Sequence, residues 1–123
     1  VKIVSTEKPV GSTLGKVEFA HGYDPSSKEA TSFFTLRYDI YGNINQTNLQ
    51  VHNVEKYHQY IKAIKSYKCK LATTGVPEVL RGSTIYRGAT TTFVVDSHQD
   101  IAWRFTILPN DLYDYRAKRH TPQ

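Results

Sequence analysis

From Val1 to Val51 the chain keeps returning to a two-residue rhythm of apolar and polar positions, the mark of strands with one face turned to a core. VKIVST predicts a short opening strand and KPVGS a turn. LGKVEFAHGY predicts a second strand with Val17, Phe19 and His21 on one side and Lys16, Glu18 and Ala20 on the other. His21 thus shares a side with two apolar neighbours and is expected to be a hydrogen-bonded core residue. YDPSSKEAT, with a proline and two serines, predicts a surface loop. SFFTLRYDIYGNINQTNLQVHNV predicts a hairpin in which Phe34, Leu36, Tyr38 and Ile40 share a face, the loop falls at Gly42-Asn43, and Leu49 and Val51 lie on the return strand.

The period then changes. Asn53 is placed to cap a helix, with Glu55 near its positive end, and Val54, Tyr57, Ile61 and Ile64 form a core-facing stripe at spacings of three, four and three. This predicts a helix over roughly 54–70, closed by the glycine and proline of TTGVP. His58, Lys62, Lys65 and Cys69 fall on a different stripe of that helix, with Lys70 at its margin.

Beyond it, STIYR, TTTFVVD and IAWRFTIL predict three strands of a meander, with SHQD as the last turn. If Val95 pairs with Ile101, Phe93 faces Trp103 and Thr91 faces Phe105 on a greasy surface, while Thr90, Thr92, Arg104 and Thr106 make a polar platform on the other. Arg87 has no assigned face, because Gly88 as a bulge or a turn resets the alternation. DLYDYRAKRH predicts a short closing helix starting at Asn110. The order predicts one compact α+β domain over 1–123: an antiparallel sheet, hairpin plus C-terminal meander, packed against one main helix with a short C-terminal helix.

Composition alters this picture in three places. No apolar run approaches the length of a membrane span, and the opening residues lack a signal-peptide layout, so a soluble chain is expected. The sequence contains no methionine, which suggests a processed fragment or a domain of a longer precursor; compartment stays open. The single cysteine excludes an internal disulfide and a cysteine-built zinc site. Asp96, His98 and Asp100 lie close together in DSHQD, but as turn residues with no second cluster to complete a shell they predict no metal site.

Charge is regional. Residues 1–53 hold five Lys/Arg and five Asp/Glu, whereas residues 54–123 hold eleven and six, which gives the whole chain +5. Lys56, Lys62, Lys65, Lys68 and Lys70 against Glu55 can track phosphates, Arg81, Arg87 and Arg104 can join them, and Thr90, Thr92 and Thr106 can donate to phosphates or base edges, with Tyr86 as a stacking surface. The expected partner is RNA or another polyanion. The enzyme version is a small metal-independent endoribonuclease, with His58 as acid or base and Arg87 and Arg104 at the phosphate. A basic single domain of this kind is similar to the C-terminal toxin domains of bacterial competition proteins.

The alternative is a non-enzymatic protein-interaction module docking an acidic partner through its basic half. Walker, GxGxxG, GxSxG and HExxH motifs are all absent, and no cofactor is expected. IYRG resembles the arginine motif of ADP-ribosyltransferases over four residues, but that family's STS and ExE motifs have no counterpart downstream.

Overall fold

A computed structural model describes residues 2–28, 30, 32–72, 76, 80, 82–98 and 102–120. The elements, in chain order, are β1 (Lys2–Glu7), β2 (Gly15–His21), β3 (Ser32–Tyr38), β4 (Ile44–Val51), α1 (Val54–Ser66), β5 (Lys70–Leu71), β6 (Thr84–Arg87), β7 (Thr91–His98), β8 (Ala102–Pro109) and α2 (Asn110–His120). The strands form one antiparallel sheet of eight, ordered β1-β2-β3-β4-β8-β7-β6-β5. The expected α+β class and helix positions hold, with the strand pair β4–β8 joining the N-terminal and C-terminal halves of the sheet. Among the described residues, no helix is long and apolar enough to cross a membrane.

The local causes are those the sequence carries. Asn53 caps α1, its Oδ1 accepting from the Lys56 amide at 3.0 Å. The β3–β4 hairpin turns at Gly42, whose φ of 84° suits a residue without Cβ, while Asp39 Oδ1 accepts from the amides of Tyr41 and Asn43. Helix α1 ends earlier than expected, at Ser66. Lys68 adopts a left-handed φ of 60°, and Lys70-Leu71 leave the helix to pair with Arg87 and Tyr86 as the edge strand.

The two helices take opposite faces of the sheet. On one, Tyr57, Tyr60, Ile61 and Ile64 of α1 pack over Val51, Trp103, Phe105, Val95 and Tyr86. The Tyr57 ring stacks on Trp103 at 4.9 Å, and Tyr60 meets Phe105 edge-on at 5.8 Å. Tyr60 thus serves the core where Val54 was expected; Val54, in the first turn, is half exposed. On the other face, Leu112 and Tyr113 of α2 pack over Ile85, Val94 and Leu108.

The β7–β8 register differs from expectation: Val95 pairs with Phe105, not Ile101, because β7 runs on to His98 before turning. The shift is four residues, an even number, so the greasy and polar faces keep their membership. Gly88 lies in the β6–β7 turn, where an added Cβ would come within 2.9 Å of Cys69 Sγ. Cys69 is therefore packed inward, off the lysine stripe of α1.

Candidate functional site

The residues expected to form one basic surface are divided by the sheet. His58, Lys62 and Lys65 are exposed on the outer side of α1, whereas Lys70, exposed on β5, lies directly opposite Arg87 and so belongs with it to the α2 face. Arg104 alternates with Trp103 and Phe105, so it points to the α2 face, on the far side of the sheet from the helix that packs on those two rings. The two groups of cations do not adjoin. The reason is topological: which face a helix covers depends on the hand of its connection, and periodicity does not encode that.

Four further expectations need correction. Tyr86 is buried in the α1 core and offers no stacking surface. Thr92 is fully buried, its Oγ1 donating at 2.7 Å to Asn110 Oδ1 at the start of α2, while Asn110 Nδ2 donates to the carbonyls of Gly88 and Ala89. Arg87 is held by a two-pronged contact with Asp114 of α2 at 2.8 and 2.9 Å. That contact holds the Asp114 carboxyl below the usual carboxylate range, chiefly through the hydrogen bond from Arg87. His21 does share the side of Val17 and Phe19, but it is exposed at the strand end. Of the threonine platform, Thr106 remains half exposed beside Arg104 and Thr90 sits exposed in a turn. Arg81 lies outside the described residues. The catalytic set of His58, Arg87 and Arg104 is thus not assembled.

What the fold does assemble draws, apart from Arg104, on the half of the sequence that carries no net charge. Helix α2 covers β6 to β8 and leaves the same face of β2, β3 and β4 open as a polar concavity of about 630 Å³. Cross-strand register builds it in rows. Glu18, Thr35, Asn48 and Thr106 face one another in one row; Ala20, Phe33, Gln50 and Arg104 form the next. His52 and Lys28 complete the wall. Lys28 is placed by a turn in which the Asp24 carboxylate accepts from the amide and hydroxyl of Ser26, with Lys28 itself at a φ of 58°. Those bonds from Ser26 lower the Asp24 pKa and hold the turn's acceptor ionised.

The concavity's side chains are oriented by one another. Thr35 Oγ1 donates to Glu18 Oε2 at 3.2 Å. Arg116 of α2 donates to Gln46 Oε1 at 2.5 Å, and Gln46 Nε2 donates to Asn48 Oδ1 at 3.0 Å. A guanidinium has no acceptor, so the chain of bonds has one direction and leaves the Asn48 amino group free to donate. Gln50 Nε2 meets His52 Nε2 at 3.1 Å, and the His52 ring stands edge-on to Phe33 at 6.4 Å. Arg104 lies opposite Asp96 across β7–β8, yet Asp96 accepts from Ser83 Oγ instead. Among the described residues neither Arg104 nor Lys28 has a carboxylate partner, and no three His, Cys, Asp or Glu side chains gather as a metal site.

One sequence signal pointed here. Gln46, Asn48 and Gln50 alternate along β4, three amides on one face of a strand, and that period was present in INQTNLQV. No family model matches the chain, and neither a curated protein nor a solved structure is found similar to it.

Proposed function

We propose that the chain binds single-stranded nucleic acid, RNA in particular, along the open part of the α2 face. One observation carries the reading: an aromatic ring, amide and carboxylate groups that each keep a free hydrogen-bonding atom, and two cations without a carboxylate partner among the described residues line one open concavity. Each class has its counterpart in a flexible strand, the ring for a base, Lys28 and Arg104 for phosphates, the amides for base edges. Phe33, Gln50 and Arg104 sit on adjacent strands in one row, so a single nucleotide spans all three kinds of contact. Side chains on one face of β4 repeat every 6.7 Å or so, close to the repeat of an unstacked nucleotide backbone. Gln50 Oε1 and Glu18 are acceptors to which a 2′-hydroxyl can donate, which favours RNA over DNA. The proposal is one of binding, because the cleavage set expected from the sequence, His58, Arg87 and Arg104, is not gathered in one place.

Fluorescence anisotropy with a labelled single-stranded RNA, in EDTA, tests it. Arg104→Glu should weaken binding at least about tenfold and reduce the salt slope by about 0.7, one phosphate contact on a single strand. The double variant Lys62→Glu, Lys65→Glu, on the far side of the molecule, should change affinity far less. The opposite ranking would move the nucleic acid to α1, and cutting of the RNA in EDTA would make the protein an endoribonuclease.

A second reading has its own observation. On the α1 face, Phe19, Phe34 and Leu49 floor a groove of about 410 Å³ rimmed by Lys56, His21 and Tyr60, with no carboxylate in its lining. An acidic protein segment with apolar anchors fits that chemistry. It predicts loss of the partner in pull-down by Phe34→Asp and no loss by Arg104→Glu.

A further inference from the structure

We propose that the row Glu18, Thr35, Asn48 is a guanine subsite, so that the strand bound on the α2 face is recognised by a guanine base. This rests on the single-strand reading above and deepens it. Glu18 and Asn48 lie directly across β3 from each other, with Thr35 between them. Their Cα atoms are two strand spacings apart, about 10 Å. Thr35 is small and nearly buried, so the middle of the row is a dip between two taller polar side chains. Phe33, two residues along β3 on the same face, gives the dip an aromatic wall.

The hydrogen-bond polarity of the two ends is fixed by neighbours. Glu18, accepting from Thr35 Oγ1, is an acceptor with its Oε1 uncommitted. Asn48, accepting through Oδ1 from the chain that begins at Arg116, presents N–H groups. The dip therefore offers a carboxylate on one side and an amino donor on the other. A planar ring that fits needs two adjacent N–H groups on one edge and an acceptor on the edge opposite. Guanine has N1–H and N2–H₂ together on one edge and the N7 acceptor on the far side of its ring system. Adenine and cytosine each place a ring-nitrogen lone pair beside their amino group, which a carboxylate repels, and uracil has a lone N–H flanked by two carbonyls.

The same logic makes Glu18→Gln informative. A glutamine amide offers one donor and one acceptor side by side, the pattern that complements the adenine amino group and its neighbouring ring nitrogen. The substitution should therefore move the preference from guanine towards adenine. A residue that only supported the strand would lower affinity for every base alike.

The experiment uses labelled uridine octamers carrying one central G, A, C or inosine, titrated into the intact chain by anisotropy, with circular dichroism to confirm that each variant is folded. The G octamer should bind best, and inosine, which lacks only the 2-amino group, should lose about tenfold, the cost of one hydrogen bond to a charged acceptor. Glu18→Gln should abolish the G advantage and favour A. Asn48→Asp, which replaces the donor by a second carboxylate, should also erase it. GMP alone should bind far more weakly than the octamer; equal affinity would assign the dip to a free nucleotide and overturn the strand. Equal binding of all four octamers, or a G preference unmoved by Glu18→Gln, overturns the guanine subsite while leaving the binding surface standing. No binding of any octamer removes both.

Discussion

The two halves of the sheet live in different surroundings. Strands β6 to β8 are covered on both sides, by α1 on one and α2 on the other, and Ile85, Val94, Val95, Phe105 and Leu108 are all 5% exposed or less. Among the described residues, no helix packs on strands β1 to β3 as α1 and α2 pack on the other half: Ile3 is 57% exposed and Phe34 36%. The sequence follows the coverage. FVVD in β7 puts apolar residues on successive positions because both sides are buried, whereas NLQV in β4 alternates polar and apolar. One half holds the molecule together, and the other, still pinned to it through the β4–β8 ladder, is free to present polar groups in register. Rigidity comes from the partner strands, so a binding row on β2, β3 and β4 needs no helix of its own.

The sharpest way to break this contrast is to truncate one phenylalanine in each half. Phe105 is 1% exposed and in contact with Tyr57 and Tyr60; Phe105→Ala should cost about 3 to 5 kcal/mol, enough to unfold a marginal domain. Phe34→Ala, which removes a ring already open to solvent and touching Phe19 at 6.1 Å, should cost about 1 kcal/mol or less. Urea denaturation midpoints compare the two directly. A cost for Phe34 approaching that of Phe105 would mean that the outer half carries the core after all.

A smaller effect sharpens the comparison within the α2 face, at two threonines that the sequence treats alike. Thr92 is fully buried and bonded to Asn110, whereas Thr106 is half exposed. Thr92→Val keeps the shape but leaves Asn110 Oδ1 without its donor and should destabilise by about 1 to 2 kcal/mol. Thr106→Val should fall within about 0.5 kcal/mol of zero. Thermal melts of the two variants side by side check it, with equal shifts pointing away from the Asn110 bond.

These threonines also mark where the sequence stopped being legible. Period, caps and turns are local properties, and they placed both helices, the hairpin and the meander, including the Asn53 cap and the start of α2 at Asn110. Face membership survived even the wrong β7–β8 register, because the error was even. Burial did not survive, because Thr92 and Tyr86 differ from Thr106 only in what packs over them, and that is decided by which side α1 and α2 take. The same choice separated Lys62 and Lys65 from Arg104. The polar concavity escaped for a different reason: it draws on β2, β3, β4 and β8, elements far apart in sequence, and all but Arg104 of its lining comes from the half whose formal charge sums to zero. Its trace was the spacing of Gln46, Asn48 and Gln50, a pattern of hydrogen bonding and not of charge.

The smallest expected effect comes from the contact between Arg87 of β6 and Asp114 of α2, which ties helix to strand in the covered half. Both side chains are substantially exposed, 38% and 53%, so water and salt screen the pair and its share of stability is slight. Its pH signature is nonetheless distinctive. The bond from Arg87 lowers the Asp114 pKa in the folded chain, so between the folded and unfolded values the unfolded chain binds the extra proton. The stabilisation is therefore complete above the ordinary carboxylate range and fades as pH falls below it. Asp114→Asn should lower the urea midpoint slightly at neutral pH, by the same amount up to mildly alkaline pH, and the difference from the parent should close under acid conditions. Asp39, lowered chiefly by the Asn43 amide in the β3–β4 turn, should give the same acid signature in the outer half. Its loss, however, should loosen only that hairpin, seen as faster amide exchange at Asn43 with the urea midpoint nearly unmoved. An Asp114→Asn deficit that persists undiminished into acid would mean that the carboxyl group holds α2 by its shape and not by its charge, and the covered half would then owe its helix entirely to packing.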